Sequence, residues 1–315
     1  MYDKVKLWID KVAMAGTTPQ QIAMLLDEAK EQTDLTTGEV KTFGCLDGLK
    51  VSVFVGGVSV VGSLPKYLHG NNIYPLDRHS TGEALNKMQD ALHLYLDGAQ
   101  VTGLEFGTTF MMQHPVEMYL DKLGDVSKLV RCPLTASTLY YRHKGKHKPK
   151  ELCFYDKGAE ERQKGLILPK GFNEANLLRY EIRYNGKLPR QIGCPKVEAS
   201  TLITPEFYRL MVDKYQGFYY SIAKLNQIKT NVMAEIKTVK DALDVFVARL
   251  ISQSSQSQIS GFMDELKEAQ VFADRKNYTR LKNKIQDIST KASVTVTDEL
   301  IKELDDEIKN VGAYV

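Results

Sequence analysis

Three short stretches hold residues whose types and spacing can do chemistry. VTGLEFGTTF, ELCFYDKG and LLRYEIRY each alternate like a β-strand, where residues i and i+2 share a face. In the first, Leu104, Phe106 and Phe110 fall on one face and Glu105 on the other, with Gly103 and Gly107 beside it. In the second, Leu152 and Phe154 leave Tyr155 and Lys157 opposite them; in the third, Leu178, Tyr180 and Ile182 leave Arg179, Glu181 and Arg183. A carboxylate in the middle of an apolar strand is costly unless something binds it. Flanking glycines leave room for an ion or another backbone to approach.

If the three strands share a sheet, its polar face gathers two carboxylates, a lysine, two arginines and a tyrosine, a set suited to phosphodiester transfer. Carboxylate oxygens suit a hard divalent cation, Mg²⁺ or Mn²⁺. A tyrosine hydroxyl, with an ordinary pKa of about 10, becomes a nucleophile when a neighbouring cation favours the phenolate. Lys157 can supply that charge or protonate the leaving oxygen, and the arginines can clamp phosphate oxygens bidentately. The alternative is an ordinary polar sheet face on which Glu and Arg pair across strands. Histidine adds little: no His-hydrophobe-His triplet occurs, His69 and His114 lie just beyond strands as single candidate ligands, and His143 and His147 belong to a basic hairpin tip.

These residues need elements to hold them. YDKVKLWID reads as a strand, and TTPQQIAMLLDEAKEQ as a helix capped by Thr17 or Thr18 with Pro19 in its first turn. LKVSVFV and VSVVGSL form a hairpin about Gly56 and Gly57. HSTGEALNKMQDALHLYL places Leu85, Met88, Leu92 and Leu96 on one helical stripe, and PVEMYLDKL is a short helix. STLYY and ELCFYDK form a second hairpin around YYRHKGKHKPK. Residues 1–203 are thus expected to be an α+β domain, an antiparallel sheet with packed helices. Residues 204–315 read as an α-helical accessory region, with apolar residues recurring from Ile228 to Leu250 and a linker at 253–261.

Net charge is +3, but residues 131–196 carry 15 Lys and Arg against 6 Asp and Glu, leaving the rest of the chain at −6. A cationic middle in a near-neutral chain is the footprint of a nucleic-acid surface, or of a solvated basic loop. The four cysteines are widely spaced and support neither disulfides nor a zinc site. No window approaches the roughly 20 apolar residues of a membrane span, so a cytoplasmic location is expected. No GxxxxGK[ST] phosphate loop is present to support ATP-driven chemistry.

SLPKYLHGNN, LEFGTTF, LCFYDKGAE and LLRYEIRYNGKLPRQIG, in that order, resemble the rolling-circle replication initiators of the phage and plasmid gene II/X group, related to the filamentous-phage replication protein. The resemblance spans residues 45–200 or so. It implies a nick in one strand of a double-stranded origin, a covalent 5′-phosphotyrosine and a free 3′-OH that primes synthesis. The family's Tyr-x-Lys-x-x-Glu pattern falls on Tyr155, Lys157 and Glu160, making Tyr155 the nucleophile and Lys157 its catalytic partner. Glu105, Glu181 and Glu160 become candidate metal ligands for Mg²⁺ or Mn²⁺, although many relatives carry Asp at the first position. Arg179, Arg183, Arg142, Lys144, Lys146, Lys148, Lys66 and Asn72 become candidate DNA contacts, the DNA being a single-stranded or cruciform nick site. Tyr140 or Tyr141 is a candidate second acceptor, and a host helicase or polymerase a candidate partner. Two alternatives stay open: a relaxase that mobilises a plasmid or element, and a DNA-binding regulator without catalysis.

Overall fold

The structure, a computed structural model, describes residues 1–311 apart from 15, 74 and 167. Ten strands form one sheet: β1 (Tyr2–Asp10), β2 (Asp27–Thr33), β3 (Val40–Leu46), β4 (Leu49–Phe54), β5 (Gly57–Ser63), β6 (Gln100–Met112), β7 (Val130–Thr135), β8 (Thr138–Arg142), β9 (Lys150–Asp156) and β10 (Asn176–Tyr184). Their order is β2-β3-β4-β5-β1-β6-β10-β9-β8-β7, and every pairing is antiparallel. Two meanders therefore flank a central β1-β6-β10 trio. The three strands singled out in the sequence lie side by side as β6, β10 and β9, as an α+β sheet with one polar face requires.

The helices are α1 (Pro19–Ala23), α2 (Leu64–His69), α3 (Arg78–Leu92), α4 (Val116–Lys122), α5 (Lys157–Gln163), α6 (Leu188–Ile192), α7 (Ala199–Leu202), α8 (Pro205–Tyr220), α9 (Val239–Gln253), α10 (Gln256–Glu268), α11 (Lys276–Ser289) and α12 (Glu299–Asn310). Two of the strongest start signals are Ser63, which caps α2 with Pro65 in its first turn, and the Asp77–Ser80 capping box of α3. Among the described residues no helix is long and apolar enough to cross a membrane.

One face of the sheet carries the core. Tyr2, Phe106, Phe154 and Tyr180 are wholly buried there against Tyr208, Tyr215 and Tyr219 of α8. Phe154 stacks on Tyr180 at 4.3 Å, Tyr180 meets Tyr215 at the same distance, and the two tyrosines exchange hydrogen bonds, each hydroxyl donating to the other's backbone carbonyl at 3.1–3.2 Å. This pinned spine covers one side of β9 and β10 and turns their alternate side chains to the opposite face.

Two expectations are corrected, and one left open is decided. The helix expected through TTPQQIAMLLDEAKEQ stops at Ala23, and residues 27–33 instead form the exposed, charged edge strand β2, held by pairing with β3. The apolar stripe from Ile228 to Leu250, open to one long helix or a broken pair, is broken, because α8 ends at Tyr220 and the Thr238–Asp241 capping box starts α9 at Val239. The expected linker at 253–261 is mostly α10, begun by a Ser255–Gln258 capping box. The C-terminal region is helical, but α8 and α12 belong to the main core, whereas Leu225, Val232, Val245, Ala248, Ile251, Ile288 and Val294 form a small core of their own.

Truncating Phe154 to Ala should leave a cavity against Tyr180 and lower stability by about 3–5 kcal/mol. Urea unfolding of the variant measures this; a loss below about 1 kcal/mol would show that the spine does not anchor β9.

Candidate active site

Strand register arranges the polar face in rows. Across β6, β10, β9 and β8 the first row runs Glu105, Arg183, Glu151, Arg142; the second Gly107, Glu181, Cys153, Tyr140; the third Thr109, Arg179, Tyr155, Thr138. Carboxylates and guanidiniums alternate both along β10 and across the sheet.

The face is completed by Asp3, a residue the sequence reading missed. Between Tyr2↔Phe106 and Val5↔Leu104, β1 has one residue more than β6, so a bulge sets Asp3 and Lys4 against Glu105. Oxygens of Asp3, Glu105 and Glu181 all lie within 4.8 Å of one another. Among the described residues this cluster contains no histidine: His69 ends α2 and His114 lies beside Tyr119.

Arg179 holds the cluster together. It is buried, and its guanidinium donates to Asp3 Oδ2 at 2.5 Å, Glu181 Oε2 at 3.2 Å, the Asn72 carbonyl at 3.0 Å and Thr109 Oγ1 at 3.3 Å. Asn72 is buried too, and its amide donates to Asp3 Oδ2 at 3.0 Å. Burial alone would raise the Asp3 carboxyl; Arg179, hydrogen bonds from Ser63 and Asn72, and the Lys157 charge carry it below its ordinary value. Arg179 and Asn72, expected to contact DNA, therefore face inward as the frame of the acidic cluster.

Arg183 binds Glu181 Oε1 through Nη2 at 2.5 Å and approaches Glu105 at 3.9 Å. Glu105 is left with the weakest compensation, and burial followed by repulsion from Glu181 pushes its carboxyl up to about 7. Gly107 has a steric reason: a Cβ there would lie 2.5 Å from Glu181 Cβ. A Cβ on Gly103 would meet Lys6 Cδ at 2.8 Å. The space beside Gly107 is taken by the β10 backbone as well, the Tyr180 carbonyl oxygen lying 2.5 Å from such a Cβ, so the glycine admits another backbone, one of the two readings the sequence allowed.

Tyr155 points into this setting. Its hydroxyl donates to Glu181 Oε2 at 3.3 Å, and the ring lines a cavity of about 180 Å³ with Ser137, Thr138, Tyr140, Glu160, Gln163 and Arg183. Burial, then the Glu181 charge, raises the phenol well above its ordinary value. A phenolate favoured by Lys157 was expected, but Lys157 is not on the strand. Asp156 caps α5, which starts at Lys157, and the buried ammonium binds Glu160 at 2.7 Å and Glu161 at 2.5 Å. Glu160 also binds Lys164 at 2.6 Å, so it stands apart from the three-carboxylate cluster.

The expected DNA contacts divide. Lys144, Lys146 and Lys148 are exposed at the β8–β9 tip, Lys66 is half-buried on α2, and Arg142 pairs with Glu151 at 2.6 Å while lying 3.9 Å from the Tyr140 ring centroid. Tyr141 is buried and donates to the Gly124 carbonyl at 2.7 Å, a packing residue; Tyr140 stays on the polar face.

Residues 1–204 match the phage family described as the replication-associated protein, N-terminal region. The chain belongs to this family. The match ends at the junction with α8 and contains every strand of the large sheet. Membership supports the role of a replication initiator with DNA as its partner. No curated protein matches the chain.

The raised Glu105 carboxyl has a consequence for stability. In metal-free protein its contribution is complete below the ordinary value of 4.5 and is lost as pH rises through about 7. Between pH 5 and 8, Glu105→Gln should therefore gain stability relative to wild type in the presence of chelator. Parallel pH profiles in thermal unfolding would place Glu105 outside the cluster's field.

Proposed function

We propose that this replication initiator nicks one DNA strand by transesterification at Tyr155, with a divalent cation held by Asp3, Glu105 and Glu181. One observation carries the reading: the Tyr155 hydroxyl hydrogen-bonds to Glu181, a member of the three-carboxylate cluster. The cluster fits Mg²⁺ or Mn²⁺ because all its donors are hard oxygens and the two arginines leave one of its three carboxylates without a close partner. When bound, the cation would polarise the scissile phosphate and offset charge on its oxygens.

The chain's own groups divide the remaining work. Glu181 Oε2 accepts the phenol's proton as Tyr155 Oη attacks phosphorus. The new bond joins Oη to phosphorus, the bond to the 3′-oxygen breaks, and that oxygen leaves with a proton from solvent as a free 3′-OH. Arg183, partly exposed at the rim, is placed to hold a non-bridging oxygen. Arg179 fixes the rotamers of Asp3 and Glu181 and does not touch substrate. Because the phosphotyrosine conserves the linkage, closure of the strand needs no nucleotide, in accord with the lack of a phosphate loop.

The raised phenol keeps Tyr155 protonated in the resting protein. Attack therefore needs a base, the part given to Glu181.

Incubating the protein with a supercoiled plasmid carrying its own origin and Mn²⁺ tests this. A protein-linked 5′ end that disappears in Tyr155→Phe and falls at least about 100-fold in Glu181→Gln is expected. Tight binding with no linked product in wild type would make the protein a regulator, and linkage surviving in Tyr155→Phe would move the nucleophile elsewhere.

A further inference from the structure

The polar face does not end at the acidic cluster. Beyond β6 it continues across β1, β5, β4 and β3, whose opposite side carries the core, with Val5, Leu7, Val51, Val53, Val58 and Val60 buried. On the polar side one row of register runs Trp8, Ser59, Ser52, Phe43 and the next Lys6, Val61, Lys50, Cys45. Lys4 precedes Lys6 on β1 at the same parity, and Phe54 follows Ser52 on β4. Trp8, Phe43 and Phe54 are half-buried, and they belong to none of the hydrophobic clusters of the described residues.

Aromatic rings and unpaired cations interleave on this surface. Trp8 and Phe54 stand on strands separated by β5, yet their ring centroids are 5.8 Å apart. The β5 partner of Phe54 is Gly57, where a Cβ would fall 2.2 Å from the Ile9 carbonyl oxygen and 3.0 Å from Trp8 Cζ2. The Lys41 ammonium lies 5.8 Å from the Phe54 centroid. Among the described residues Lys4, Lys6, Lys41 and Lys50 form no ion pair. Carboxylates stand at the borders: Asp10 ends β1 and accepts the Val12 amide at 3.0 Å, Asp27 and Glu28 occupy the bulged end of the edge strand, and Glu105 belongs to the acidic cluster.

We propose that this half of the face holds single-stranded DNA beside the point of cutting, with Trp8 and Phe54 stacking on bases and Lys4, Lys6, Lys41 and Lys50 holding phosphates. The proposal rests on the function proposed above for DNA as the substrate and the polar face as its place, but not on Tyr155 being the nucleophile. The bulge in β1 sets Lys4 against Glu105, and Trp8 lies four residues further along the strand. That is about 13 Å at ~3.3 Å per residue, the length of about four phosphates at ~3.4 Å each along one strand. Rings stack on bases only where the bases are unpaired, since a duplex offers its backbone and groove edges. Ser52 and Ser59 keep the floor low between Trp8 and Phe43, so that a base can lie flat on the rings. A second copy docked through the same face would set these lysines against one another, which disfavours it as the occupant.

Trp8 is the only tryptophan of the chain, so its emission reads this face directly. Full-length protein carrying Tyr155→Phe, in which binding is read without strand transfer, is titrated with a labelled oligonucleotide of about 20 nucleotides and with its duplex. Indole emission is expected to be quenched in step with the anisotropy of the single strand. Trp8→Ala should weaken single-strand binding at least about fivefold and duplex binding less than about twofold. Lys6→Gln/Lys41→Gln/Lys50→Gln should reduce the slope of log K against log salt on the single strand by about 2. Melting temperatures report that both variants fold. Single-strand binding that leaves the emission unchanged, or equal affinity in Trp8→Ala, would overturn the proposal. So would a dimer that dissociates in Trp8→Ala while DNA affinity stays the same, which would give the face to a second copy. These outcomes hold whichever residue is the nucleophile, a question that covalent linkage in wild type answers separately.

Discussion

A single buried guanidinium organises the site. Arg179 lies between Asp3 and Glu181 with all three groups nearly inaccessible to water, and such a triad is tolerable only when its hydrogen bonds are filled. Here they are: Arg179 also reaches the Asn72 carbonyl and Thr109, and Asp3 takes further bonds from Ser63 and Asn72. The triad thus ties β1, β6 and β10 to the segment after α2. It also fixes Glu181 so that one oxygen meets Tyr155 and the other meets Arg183. Removing the guanidinium would leave Asp3 buried without its ion-pair partner, a change that typically costs about 3–5 kcal/mol. Chemistry and fold at this place are held by the same bonds.

Strand parity made the polar face legible because Leu104, Phe106 and Phe110 of β6, Leu152 and Phe154 of β9, and Leu178, Tyr180 and Ile182 of β10 each keep one parity and fill a pinned core. It failed where the backbone departs from period two. In YDKVKLWID, Asp3 shares its parity with Val5, Leu7 and Ile9, and an unbroken strand would turn it toward the core. The bulge between Tyr2 and Val5 reverses that, and no residue in the stretch announces it. Lys157 was misassigned for a related reason, the strand having ended one residue earlier. Asp156, followed at the third position by the backbone amide it caps, was the available signal.

Charge misled differently. An arginine on a polar strand face reads as a surface residue, yet Arg179 is inside, because its partner Asp3 comes from the far end of the sequence. Similarly, QSSQSQISG looks like a linker by composition, although its serine and glutamine at positions 255 and 258 form a capping box. In both cases the deciding partner is a specific side chain, which composition does not report. The family match covers the sheet and the acidic cluster, and beyond it α8 and α12 complete the same core.

The central claim is that Asp3, Glu105 and Glu181 form one cation site. The most direct measurement is Mn²⁺ binding by electron paramagnetic resonance, comparing wild type with Asp3→Asn, because Asp3 is the member with no counterpart in the motif and its role rests on geometry alone. A single site in wild type, weakened at least about tenfold by Asp3→Asn with the fold retained, is the expected result. Equal Mn²⁺ affinity in the two proteins, or no bound ion in wild type at millimolar metal, would contradict the account.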